Sequence, residues 1–92
     1  MTAQPDSGAV LPALREHVRE TVTALLARPD STDAQTKLVD LAGATDRAAE
    51  LLADVAPAAL AALRRALDHG AGRPEECASE LVAAHHHLSA GA

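Results

Sequence analysis

The sequence predicts an all-α protein, folded as a small antiparallel four-helix bundle that associates with itself. Apolar residues recur at spacings of three and four in four consecutive segments, which is the periodicity of helices with one buried face. No segment alternates apolar and polar residues as a half-buried strand does. Prolines and glycines stand between the segments, so short turns are expected to join neighbouring helices, as they do in bundles.

The first helix is predicted over residues 12–27, after a flexible leader over residues 1–10. The leader shows no apolar periodicity, so we place the single folded domain at residues 11–90. Pro12 suits a first helical turn. The inner face of this helix is formed by Leu11, Leu14, Val18, Val22 and Leu25. The helix is expected to end before Pro29, because a proline disfavours the helical conformation of the residue before it.

The second helix is predicted to begin at a capping box over Thr32 to Gln35 and to run to Val55. In a capping box the hydroxyl and the amide each satisfy a free backbone N–H. The inner positions follow an unbroken heptad pattern, here called the heptad seam: Ala34, Leu38, Leu41, Thr45, Ala48, Leu52 and Val55. Pro57 would remove one helical hydrogen bond, so the helix is expected to stop close to Val55.

Two further helices complete the predicted bundle. The third covers residues 58–69, and Gly70 offers a left-handed cap after it. The fourth begins at Pro74 and runs to about Ser89, with two carboxylates in its first turn near the positive end of the helix dipole. The predicted inner positions of these two helices are Leu60, Leu63 and Leu67, then Cys77, Leu81, Ala84 and Leu88.

Composition excludes several classes of function. The chain has 8 basic and 13 acidic residues and a formal net charge of -5, so it lacks the basic surface of a nucleic-acid-binding protein. It has no aromatic residue on which a base would stack. No segment predicts a membrane span. The single cysteine and the absence of a signal peptide favour the cytoplasm, and abundant Ala and Arg with no Ile or Asn indicate a GC-rich bacterial genome.

The tract His85, His86 and His87 is the candidate metal site. Imidazole is the commonest metal ligand, and zinc or copper would be the expected ion. Consecutive helical residues point about 100° apart, so three adjacent imidazoles do not converge on one ion. A site would therefore need ligands from another helix or subunit. The structural alternative is a partly buried His85 with two solvated neighbours, and on that interpretation no cofactor is expected.

A second candidate feature is an acidic row on the second helix. Asp46, Glu50 and Asp54 recur every four residues and form what we call the carboxylate ridge. Like charges at this spacing repel, so the ridge is expected either to be solvated with help from Arg47, Arg64 or Arg65, or to dock a basic partner.

Asp30 and Ser31, at the start of the second helix, resemble the Asp-Ser-Leu site of acyl carrier proteins, with Thr32 in the place of Leu. That resemblance implies a carrier in which Ser31 holds the prosthetic group. Helix capping by the same two residues is the structural alternative.

Together these patterns favour a non-enzymatic helical protein–protein interaction module, an accessory or regulatory subunit that forms a homodimer or binds another protein. The predicted interface is the part of the heptad seam formed by Leu38, Leu41, Ala48, Leu52 and Val55. A core of Leu and Ala buries little area per layer, so pairing would add burial that one chain lacks. No catalytic constellation is recognisable. The alternatives are a metal-binding protein using His85 and, third, a small-molecule-binding helical enzyme or carrier.

Overall fold

The computed structural model describes residues 7–90 and confirms the all-α class. Its α-helices are α1 (Ser7–Ala27), α2 (Thr32–Arg47), α3 (Ala49–Val55), α4 (Pro57–His69) and α5 (Pro74–Ala90). A 3₁₀ turn over Gly70–Gly72 joins α4 to α5, and no strand occurs between residues 7 and 90. Five helices therefore stand where the sequence pattern predicts four.

Helix α1 begins five residues earlier than predicted. Residues 7–10 of the expected leader are helical, and residues 1–6 lie outside the described part of the chain. Val10 and Leu11 are half-buried and pack against the core. Their burial accounts for the helical turn on the N-terminal side of Pro12. The end at Ala27 agrees with the prediction from Pro29.

The predicted second helix is divided in two at Ala48. The backbone of Ala48 leaves the helical conformation, with φ -97° and ψ 3°, and its N–H is shared between the carbonyls of Ala44 and Asp46. A straight helix over residues 32–55 would be about 36 Å long. Beyond this break α3 packs on α4, and Leu52 and Ala56 are buried.

The cap of α2 is Ser31 and not Thr32. The Ser31 hydroxyl oxygen accepts a hydrogen bond from the Ala34 N–H at 3.1 Å and donates one to the Arg28 carbonyl at 2.7 Å. Both bonds secure the turn between α1 and α2, because one satisfies a free amide of the helix and the other closes the preceding loop.

Helix α4 begins at Pro57, where the missing N–H costs nothing because the first helical turn has no carbonyl to accept from it.

The connection from α4 to α5 depends on one glycine. Gly70 then has φ 57° and ψ -159°, a combination that is essentially restricted to glycine. The predicted positive φ is confirmed, although ψ places this residue outside the left-handed helical region.

Helix α5 is central to the packing. It contacts α4 on one side and α1 on the other, while α2 packs on α1 and α3 packs on α4. The predicted inner positions of α5 are all buried: Cys77, Leu81, Ala84 and Leu88. The largest fully buried side chains of the whole core are leucines, and alanines fill the spaces between them. Because many of the side chains between the helices are alanines, the helix backbones can approach closely, but each contact buries little apolar area.

Candidate functional site

The heptad seam lies inside the chain. Leu38, Leu41, Ala48 and Leu52 are buried because α2 packs on α1 and α4, and α3 packs on α4. Val55, at the end of α3, is the exception and is 43% exposed. In this conformation the seam presents no open row of leucines. Its use as an interface stays a prediction, and it would require α2 and α3 to leave the core.

The carboxylate ridge is exposed but not continuous. Asp46 belongs to α2, whereas Glu50 and Asp54 belong to α3, so the break at Ala48 interrupts the spacing of four. The basic partners expected from α4 are not engaged, since Arg65 donates to Glu80 of α5 at 3.2 Å. Within residues 7–90 no ion pair involves a ridge carboxylate. The ridge is therefore a solvated acidic surface that remains available to a cation.

The histidines of the tract diverge, as the helical geometry predicts. His85 is half-buried beside Val22 and Val82 in a cleft of about 170 Å³ between α1 and α5. His86 and His87 are exposed, with ring centroids 6.1 Å apart. No group of three His, Cys, Asp or Glu side chains in the described part of the chain is placed to hold a metal ion.

The thiol of Cys77 and the hydroxyl of Ser31 are potential nucleophiles, but both have structural roles. Cys77 is fully buried, and burial raises the pKa of its thiol while a backbone hydrogen bond with Gly70 opposes the change. A buried, protonated thiol is a poor nucleophile. The Ser31 hydroxyl is held by its two capping hydrogen bonds, so capping accounts for it in this conformation.

A surface that the periodicity did not identify lies along α1 and α5. Leu26 is 69% exposed and Val82 is 57% exposed, and half-buried Val22 stands one helical turn before Leu26. Val22 and Val82 line the same cleft across the two helices. These three residues are called the apolar strip below. The available signal was that Leu26 and Val82 are apolar residues directly beside the inner stripes of their helices.

No protein family, no curated protein and no solved structure matches this chain. Among the described helices none has the length and apolar character needed to cross a bilayer.

Proposed function

We propose that this chain is a non-enzymatic helical protein–protein interaction module, an accessory or regulatory subunit that pairs with a second copy of itself. The observation that carries this proposal is the apolar strip, in which Leu26 is 69% exposed and Val82 is 57% exposed. Val22 connects them, since it lies one helical turn before Leu26 and lines a cleft together with Val82. Clustered exposed apolar side chains mark surfaces that bind other surfaces. The proposed setting is the cytoplasm of a bacterium, with neither nucleic acid nor membrane as partner.

A second copy is the proposed partner because the apolar side chains of one strip can be covered by those of an identical strip. A two-fold dimer places the same patch of both chains in contact, so the Val82 region of one chain meets the apolar strip of the other. The chain's own core of Leu and Ala is modest for its size, which makes additional burial favourable. Three apolar residues form a small interface, so the proposed dimer is weak and reversible.

The proposed fold is an antiparallel four-helix bundle in which α2 and α3 together act as the second helix. Two features support it. The connections are short, and α5 is flanked by α1 and α4 while α2 packs on α1. In such a bundle the apolar strip lies along one groove, between the first and last helices.

The carboxylate ridge is proposed as a second, weaker docking surface for a basic protein partner. Its carboxylates are exposed and lie on α2 and α3, whereas the apolar strip lies on α1 and α5. Charges of this kind mainly accelerate encounter and are screened by salt.

Sedimentation equilibrium over a wide range of concentrations tests the dimer. Detection by refractive index is required because the chain has no aromatic residue. Val82→Asp places a charge in the apolar strip and is expected to give a monomer. Val39→Asp is the matched control, since Val39 is 70% exposed on α2, away from the strip. A wild-type chain that is monomeric at every concentration, or a Val82→Asp variant that dimerises like wild type, would refute the proposal.

Metal binding is retained as a second candidate in one form only. His85 lines the cleft that also contains Val82, so a dimer formed through the strip would bring the His85 side chains of two chains to the same interface. One imidazole from each of two chains would supply two of the four ligands that zinc prefers. Zinc should then strengthen the dimer of the wild-type chain and leave that of His85→Ala unchanged. An equal response of both proteins would end this interpretation.

A further inference from the structure

A cleft on another face of the molecule has the features of a small-molecule site. It lies between α1 and α2, close to the break at Ala48, and has a volume of about 360 Å³. This is within the range of ligand pockets. Apolar side chains from both helices line it, including Val10, Leu14 and Ala44. The volume stays open because three of the lining side chains are the small ones of Ala13, Ala44 and Ala48.

Two polar groups face this apolar lining. Arg47 lines the cleft from α2, and within the described residues its guanidinium has no ion-pair partner. Its position depends on Gly43, because a Cβ built on that glycine would lie 3.3 Å from Arg47 Nη1. The absence of a side chain at Gly43 therefore lets the guanidinium lie back along its own helix.

The second polar group is the imidazole of His17. It lines the cleft from α1, and its Nδ1 atom is buried without a hydrogen-bond partner from the protein. A buried polar atom that stays unpaired costs about 1–3 kcal/mol, so such atoms are uncommon in folded proteins. The Nδ1 atom itself is closed off from the cleft, so a ligand would meet other atoms of the His17 ring.

We propose that the α1–α2 cleft binds a small monocarboxylate with an apolar chain. The carboxylate would lie on Arg47, whose guanidinium is permanently charged and offers paired N–H donors that match a carboxylate. The hydrocarbon chain would lie against Val10, Leu14 and Ala44. Arg47 brings one positive charge to the cleft, which is enough to neutralise a carboxylate. A phosphate carries more negative charge and is more strongly hydrated, so it would be less well compensated between apolar walls.

This site is independent of the proposed dimer. The cleft is formed by α1 and α2, whereas the apolar strip is on α1 and α5, so either proposal can fail without the other. The cleft adds a ligand to the module without assigning it a reaction, since no nucleophile or acid–base pair lines it.

The test is a titration of the isotope-labelled full chain with octanoate, followed by amide chemical shifts and kept below the concentration at which octanoate forms micelles. Saturable shifts are expected at Ala13, Ala44 and Ala48. Octanol carries the same chain without charge, and acetate carries the charge without the chain, so both should bind more weakly. Octanol that binds as tightly as octanoate would reduce the site to an apolar crevice and overturn the proposal.

Arg47→Gln is the decisive variant, because Arg47 is exposed and its replacement leaves the core intact. It is expected to weaken octanoate binding by at least about ten-fold, because the positive charge and its hydrogen bonds to the carboxylate are lost. Arg64→Gln is the matched control, an exposed arginine on α4 that does not line the cleft, and should bind as the wild type does. Equal losses in both variants, or no saturable shift with the wild type, would refute the proposal.

Discussion

Replacing Leu52 by alanine tests whether the heptad seam is core or interface. Leu52 is completely buried although it belongs to α3, a helix of only seven residues. A helix this short is not stable by itself, so its order depends on the side chains that anchor it. Removing a buried leucine side chain costs about 2–5 kcal/mol, depending on how far the cavity collapses. A chain of this length has a total unfolding free energy of about 5–14 kcal/mol, so the variant should lose a large part of its stability.

Urea unfolding followed by far-ultraviolet circular dichroism measures this loss without an aromatic chromophore. Val39→Ala is the control, since Val39 is 70% exposed on α2. Its free energy of unfolding should change by less than about 0.5 kcal/mol, as is usual for surface substitutions. Repeating the unfolding at several protein concentrations separates the stability of one chain from that of a dimer.

The opposite result has a clear meaning. If Leu52→Ala unfolds at the same urea concentration as the wild type and instead weakens association, Leu52 lies at an interface between chains. The continuous second helix that the heptads predict would then be correct, and the turn at Ala48 would not describe the folded chain.

Substitutions also test three other features of the fold. Gly70→Ala should lower the free energy of unfolding by about 1–3 kcal/mol because of the backbone strain at positive φ. Gly72→Ala is the control: no atom lies within 4 Å of the added Cβ, so the free energy of unfolding should stay unchanged or rise slightly. Equal effects of the two substitutions in thermal unfolding would contradict this. Ser31→Ala should cost about 1 kcal/mol through loss of the cap of α2, and a larger cost for Thr32→Ala would restore the predicted capping box. Burial raises the pKa of Cys77, so the folded chain keeps the thiol proton more tightly than the unfolded chain does. The free energy of unfolding should therefore fall as the pH rises above about 8.5, and Cys77→Ala should lose this slope; an unchanged slope would contradict it.

The fold class and most helix ends follow from the sequence because they depend on local chemistry. Pro29 and Pro57 stop helices for steric reasons that act within a few residues, and both ends agree with the structure. The buried stripe of α5 also follows from spacing alone, because a helix of 17 residues with one apolar face has one way to bury it.

The break at Ala48 did not follow from the sequence because neither proline nor glycine occupies that position. The heptad pattern continues through it, and the gain from turning comes from burying Leu52 and Ala56 against other helices. The start of α1 also did not follow from the sequence. The helix begins on the N-terminal side of Pro12 because Val10 and Leu11 pack against the core. Such tertiary gains override local signals.

The candidate sites were harder to predict than the fold. Periodicity identifies the residues that face inward, so it identified the heptad seam, which then proved to be buried. Two residues of the apolar strip, Leu26 and Val82, lie off those stripes, and their exposure depends on how α1 and α5 pack. The α1–α2 cleft likewise arises from the separation of two helices at alanine positions, which no spacing rule describes.

The measurement that tests the proposed dimer most directly is an isotope-filtered nuclear Overhauser experiment on a mixture of labelled and unlabelled chains. Only contacts between different chains give a signal. We expect signals from the Val82 methyl groups of one chain to Val22, Leu26 or Val82 of the other. Signals between chains from Leu41 or Leu52 would place the interface at the heptad seam instead, and no signal at any concentration would contradict the dimer itself.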